Sequence, residues 1–324
     1  MKRKSFCLLI CILFVLGKCV IYANAQVPGV SFSEEVKILQ TSIIQKIQEN
    51  VDFLKENIVN YLSKEEISID EFALTGKKTK TTNITTEYRV FHSEQNTKTS
   101  YDCKFIYDAL AESSVQLIGI QREEREVFSV IENNKEKKVK KFYEPFWVKG
   151  HSYADLLVLF DKQYEKCFIY NLAGRGKIRD RDAYAIEIKQ KNREYGTSGS
   201  TSWESFGYDG IAWIDIETNE IVQLSRNMIA VHHYNDDSIL EKTNSFTTQY
   251  DYEKVQINGK FLTLPVEKTI KYFQQAEVSK GSTSIFRPVT PMYEWKLLTQ
   301  YVYRYSDYKA FNVDTKINFG VIDE

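Results

Sequence analysis

Cysteine is scarce in this chain. Of five in 324 residues, Cys7, Cys11 and Cys19 fall near the start, leaving Cys103 and Cys167 for the rest. That excludes a disulfide-dense miniature domain. Histidine is as rare: only His92, His151, His232 and His233 are present, too few and too badly spaced for a zinc site. The adjacent pair His232-His233 points to opposite faces of any strand, so it reads as a strand end or turn rather than a shared ligand set. With 5 prolines and 14 glycines the chain is neither collagen-like nor low-complexity. Neither sign of charge dominates. Lys+Arg total 43 against 44 Asp+Glu, a net charge of −1, which excludes a strongly basic nucleic-acid binder. No apolar run reaches the ~18 residues of a membrane span. What is present is 43% hydrophobic and 14% aromatic residues, enough for a substantial core and against disorder.

The N-terminus reads as an export signal. Lys2, Arg3 and Lys4 precede an apolar stretch from Phe6 to Gly17, and Ala23-Asn24-Ala25 places small residues before a cleavage site. The expectation is a signal peptide over residues 1–25, cleaved after Ala25. An uncleaved anchor is the alternative. A lipidated Cys19 would need a small residue where Lys18 stands. Removal of residues 1–25 takes Lys2, Arg3, Lys4 and Lys18 and no acid, moving the net charge from −1 to −5. The two remaining cysteines, Cys103 and Cys167, are a disulfide candidate in an oxidising compartment. Their loop of about 65 residues makes the bond worth about 4 kcal/mol by chain entropy. Two separate buried thiols are the other reading.

Residues 31–62 predict one long amphipathic helix. Ser31 and Glu34 fit a capping box. Val36, Leu39, Ile43, Ile47, Val51, Leu54, Ile58 and Leu62 recur at steps of three or four along one stripe. From about residue 68 to 324 the period falls to two. Thr82 to Phe91, Tyr184 to Ile188, Phe246 to Tyr252, and Tyr301 to Tyr305 alternate as half-buried strands. Glu132 to Glu136 and Asn258-Gly259 read as hairpin turns, as do Gly174-Arg175-Gly176-Lys177 and Gly207 to Gly210. A short helix is expected after Ser152, and long loops at 191–202 and 277–293. No strand–helix–strand rhythm appears, so the sheet is expected to be antiparallel, in a single domain over residues 26–324.

No catalytic motif emerges. Gly196-Thr197-Ser198-Gly199 lacks the spacing of a nucleophile elbow, and Gly174-Arg175-Gly176-Lys177 lacks that of a phosphate-binding loop. The strongest remaining signal is aromatic: 21 Tyr, 19 Phe and 4 Trp. They either pack and pair within the sheet or line an apolar cleft on one of its faces.

Several segments resemble the periplasmic lipoprotein-carrier superfamily of LolA-, LolB- and LppX-like half-barrels. They are Asp182-Ala183-Tyr184-Ala185-Ile186-Glu187-Ile188, Gly210-Ile211-Ala212-Trp213-Ile214-Asp215-Ile216-Glu217-Thr218, Glu220-Ile221-Val222-Gln223-Leu224 and Gly259-Lys260-Phe261-Leu262-Thr263-Leu264-Pro265. The likeness covers about residues 164–272. It implies an α+β fold: a strongly curved antiparallel sheet with the long N-terminal helix and a short helix packed on its open face. It further implies a non-enzymatic, exported protein of the bacterial cell envelope, periplasmic or secreted. Such a protein binds a lipid or the acyl chains of a lipoprotein, with no cofactor and no nucleic acid. The carrier's inner arginine is matched by no motif here. One side of the clearest strands supplies the expected ligand-lining residues: Tyr184, Ile186, Ile188, Trp213, Phe246, Tyr250, Leu262 and Leu264. The alternatives are an envelope scaffold that binds a protein partner through the same sheet, and a secreted hydrolase.

Overall fold

A computed structural model describes residues 34–92, 120–137, 159–191, 209–232, 242–277 and 293–311. The expected signal peptide, the Ser31 cap, Cys103, His151, the helix start at Ser152, His233 and nearly all of the loops 191–202 and 277–293 lie outside those residues. The chain divides into two compact units, Met1–Ile38 and Leu39–Glu324. The second holds every strand among the described residues.

Helix α1 spans Glu34–Asn57. It is followed by β1 (Tyr61–Phe72), β2 (Lys78–His92), β3 (Ile120–Glu132) and β4 (Lys135–Glu136). A 3-10 helix, Lys162–Cys167, leads into β5 (Phe168–Ile178), β6 (Arg181–Gln190), β7 (Asp209–Asp215) and β8 (Ile221–His232). The run ends with β9 (Lys242–Ile257), β10 (Lys260–Glu277) and β11 (Tyr293–Ala310). All strands join one antiparallel sheet in the order β4-β3-β2-β1-β11-β10-β9-β8-β7-β6-β5. Two meanders, β1 to β4 and β5 to β11, are thus welded by pairing of the first and last strands, Ile67 opposite Tyr303. Sheet edges fall in mid-chain, at β4 and β5, so the half-barrel is open between them.

Turn chemistry explains the meanders. The β9–β10 turn places Asn258 and Gly259 at φ 49° and 77°, and the β3–β4 turn places Asn133 and Asn134 at 48° and 63°. Such turns match the right-handed twist of their strands. The expected turn at Gly174–Lys177 is instead strand. It lies inside β5, where the register slips between Leu172 and Gly174, and the chain reverses at Arg179 and Asp180. Glycine at 176 serves packing: a Cβ there would sit 2.9 Å from the Trp213 ring. Gly210, also expected in a turn, lies inside β7, where a Cβ would meet the Ser225 carbonyl at 2.4 Å.

The helix ends at Asn57, five residues short of the expected end. Its apolar stripe persists to Ile58, but Asn60 pulls the chain into the sheet. The Asn60 side-chain oxygen accepts from the His92 amide at 2.6 Å, and its carbonyl accepts from the Phe311 amide at 3.1 Å. β1 therefore begins at Tyr61, not near residue 68, and Leu62 pairs with Arg89 and Lys309 as strand.

Candidate functional site: the inner face of the half-barrel

Register aligns one row of side chains across ten strands. From β3 to β5 it runs Val130, Ile84, Ile67, Tyr303, Lys268, Tyr250, Leu224, Ala212, Ile186 and Leu172. All but Leu172 are buried. The neighbouring row on the opposite face reads Ser129, Thr85, Glu66, Arg304, Glu267, Asp251, Gln223 and Trp213. Alternation has sorted the sheet into an apolar and a polar surface. Tyrosines dominate the apolar side at its centre. Tyr301 stacks near Tyr303 at 6.5 Å, Tyr250 near Tyr252 at 6.1 Å, and Tyr88 tilts against Tyr305 at 5.9 Å. Burial pushes the Tyr305 phenol well above its ordinary pKa, and the charge of Glu65 adds to that.

Helix α1 packs into the same buried cluster through Ile43, Ile44, Ile47, Val51, Leu54 and then Ile58. Side chains fasten it. The Gln40 amide donates to the Tyr170 carbonyl at 2.7 Å and accepts from the Leu172 amide at 3.0 Å, so one side chain fills part of the open edge of β5. Gln48 donates to Glu165 at 3.2 Å, Lys55 pairs with Asp161 at 2.5 Å, and Lys162 pairs with Asp52 at 3.0 Å. Three ties thus converge on residues 161–165. That segment is fixed in turn by Cys167, which is buried and disulfide-bonded. Between α1 and the sheet, beside Ile47, Val51, Leu54, Ile221 and Thr263, lies a cavity of about 20 Å³. That holds one water and no acyl chain.

Seven of the eight expected lining residues share this interior. Tyr184, Ile186, Ile188, Tyr250, Leu262 and Leu264 belong to the cluster that α1 covers. Phe246 is 4% exposed and stacks on Tyr272 at 5.0 Å. Trp213 is not among them. Its neighbours Ala212 and Ile214 point inward, so Trp213 lies on the opposite face, against Gly176.

The polar residues of the inner face went unread in the sequence. Lys268 is 1% exposed, with its ammonium 5.1 Å from the Tyr303 ring and 5.9 Å from the Tyr250 ring. Glu65, fully buried, accepts from Arg125 Nε at 2.6 Å, from Arg125 Nη2 at 3.1 Å and from the Thr86 hydroxyl at 2.8 Å. Arg125 also lies over the Tyr88 ring at 4.7 Å. A signal existed for both. Lys268 is in phase with Ile270 and Tyr272, and Glu65 with Tyr61, Ile67 and Ile69.

No family model matches the chain, and no curated protein does. Solved structures do. A domain described as an outer membrane lipoprotein-sorting protein from Vibrio parahaemolyticus aligns over 85% of this chain and 94% of its own, at 9% identity and a TM-score of 0.35. A DUF1329 family protein from Desulfovibrio piger aligns over 85% and 94%, at 13% identity and a TM-score of 0.33. A LolA superfamily protein from Nitrosomonas europaea aligns over 83% and 94%, at 11% identity and a TM-score of 0.29. The fold is an open half-barrel. Strand order and register establish that in this chain, whereas likenesses at these scores carry nothing about what it binds. Among the described residues no helix is long and apolar enough to cross a membrane.

Proposed function

We propose that this half-barrel is an exported, non-enzymatic carrier of a hydrophobic ligand in the cell envelope, with α1 as a displaceable lid. The observation behind this reading is the row across ten strands, apolar except at Lys268, with one helix packed into the same buried cluster. Magnitudes favour an exchange. Burying the five aliphatic side chains of α1 together with Ile58 just beyond it is worth roughly 10–15 kcal/mol, and an acyl chain of about 14 methylenes is worth about 11 kcal/mol in the same place. Neither overwhelms the other, so a ligand of that size can trade places with the helix face while the polar ties exchange with water. The small space under α1 among the described residues is then that of the unliganded state.

The small cavity favours a second reading, a rigid envelope scaffold whose core α1 permanently completes and which binds a protein partner. One experiment separates the two. Delipidated full-length protein is titrated with a fluorescent fatty-acyl probe while amide exchange is followed over residues 39–57. The carrier predicts saturable binding with faster exchange in α1. The scaffold predicts no binding and unchanged exchange.

A further inference from the structure

Among the described residues β5 is the last strand of the sheet on its side. Which of its main-chain groups face that edge follows from the ladder. The Asp182 carbonyl accepts from the Ile216 amide, so Asp182, and in phase with it Tyr184, Ile186 and Ile188, turn their backbone bonds toward β7. Their partners on β5, Lys177, Arg175, Leu172 and Tyr170, therefore turn theirs away from β6. The slip between Leu172 and Gly174 keeps Arg175 and Lys177 in that phase. Gln40 bears this out. Its side chain bonds the Tyr170 carbonyl and the Leu172 amide from outside the sheet, as one residue of a neighbouring strand would. The helix thus imitates a strand over part of the edge, and Arg175 and Lys177 continue the edge beyond it.

The two edges of the sheet are not alike. At the other one β4 covers the end of β3, where the Lys137 amide donates to the Val130 carbonyl. The rest of β3 mixes Arg122, Glu123, Glu124, Arg125 and Glu126, and charge of both signs deters pairing. The β5 edge carries charge of one sign. Arg175 is exposed, lies over the Tyr184 ring at 4.8 Å and donates to its hydroxyl at 3.1 Å, which leaves further guanidinium donors. Lys177 is 70% exposed and 3.9 Å from an equally exposed Asp182. β5 itself contains no acidic residue, so β5 of a second copy offers these cations no carboxylate. We propose that the β5 edge from Tyr170 to Lys177 is a docking strip for an extended, acidic segment of a partner protein. The segment adds a strand to the sheet, takes over the two bonds that Gln40 makes, and sets carboxylates opposite Arg175 and Lys177. Because Gln40 belongs to α1, occupancy of the edge loosens the start of that helix. The inference goes beyond the choice between carrier and scaffold, since it names where a protein docks whatever the interior holds.

The test titrates full-length protein with two end-blocked peptides, one alternating threonine and glutamate, the other threonine and lysine, while NMR follows amide exchange. The acidic peptide is expected to protect the amides of Arg175 and Lys177 and to speed exchange over residues 39–44. It is expected to bind at least about tenfold more tightly than the basic one. The acidic peptide N-methylated along the side that bonds β5 is expected to lose binding, because strand addition needs its N–H groups. Gln40→Ala removes the competitor for the edge and is expected to tighten binding about threefold to tenfold. Arg175→Glu with Lys177→Glu is expected to reverse the preference between the peptides. Protection on β3 instead of β5, or no protection with either peptide, overturns the proposal on wild type alone. So does full binding of the N-methylated peptide, since attraction between charges would then suffice. Protection of Arg175 and Lys177 that grows with protein concentration in the absence of peptide assigns the edge to a second copy and overturns it as well. Each of these failures leaves the carrier reading to its own acyl-probe titration.

Discussion

The Glu65–Arg125 pair offers the sharpest test of the energetics. Arg125 reaches from β3 across β2 to a carboxylate on β1, and contacts it through two guanidinium nitrogens at 2.6 and 3.1 Å. The Glu65 side chain is 0% exposed and that of Arg125 18%. The two are therefore not equivalent. Arg125→Met leaves an ionised carboxylate sealed in the core with the Thr86 hydroxyl at 2.8 Å as its remaining donor among these contacts. Stranding a buried charge costs about 3–5 kcal/mol. Glu65→Gln keeps the shape and the Thr86 contact and leaves a guanidinium that already reaches solvent, so the loss is nearer the ~1–3 kcal/mol of an unsatisfied hydrogen-bonding group. Replacing both, Glu65→Leu with Arg125→Met, removes the charges together and should return stability to within about 1 kcal/mol of wild type. Urea denaturation at constant slope measures each. If Arg125→Met costs less than Glu65→Gln, or if the double variant costs the sum of its parts, the burial argument is wrong.

Three further outcomes follow from single positions. Burial lowers the His92 pKa from 6.5 to about 4, so the folded protein favours the neutral ring and protons favour the unfolded chain. Stability should be full above about pH 6.5 and fall by up to about 3 kcal/mol as the pH drops to 4, with His92→Gln flattening that part of the profile. Gly210→Ala should cost at least ~1–3 kcal/mol, because the clash is with backbone. Gly176→Ala should cost less, since the Trp213 ring can shift; thermal melts rank the two. Peptide mapping without reduction should recover Cys167 crosslinked to Cys103, and reduction should lower stability by about 4 kcal/mol. A free Cys103 thiol would refute that pairing.

Much of the half-barrel was legible because alternation is local. Tyr184, Ile186 and Ile188 announce both a strand and its inner face, and they are buried at 8%, 0% and 0%. Asn258-Gly259 announces its hairpin for a reason equally local, the left-handed backbone that both residues tolerate. The helix stripe was legible too, but not its end. Ile58 and Leu62 continue a helical spacing by coincidence, and what stops α1 is Asn60 binding the ends of β2 and β11, residues that lie 32 and 251 positions further along. Trp213 failed for a related reason. It was expected on the same side as Tyr184 and Ile186, yet the face is set by phase with its neighbours Ala212 and Ile214, both buried.

The candidate site itself was the least legible part, and the cause is topological. A lysine following Val266-Glu267, or a glutamate within Ser63-Lys64-Glu65-Glu66, carries the local signature of solvent. Phase alone marks Lys268 and Glu65 as inward, and phase is ambiguous wherever a bulge intervenes, as it does between Pro265 and Glu267. Their burial is decided by the β1–β11 weld, which places Tyr303 beside Ile67 across more than half of the chain, and by the β10–β11 pairing, which sets Tyr303 beside Lys268. Without that weld β11, the strand beside Lys268, would be an edge strand. With it, the cation is enclosed at the centre of the sheet. The same pairing that closes the fold therefore encloses Lys268 and Glu65 in its interior.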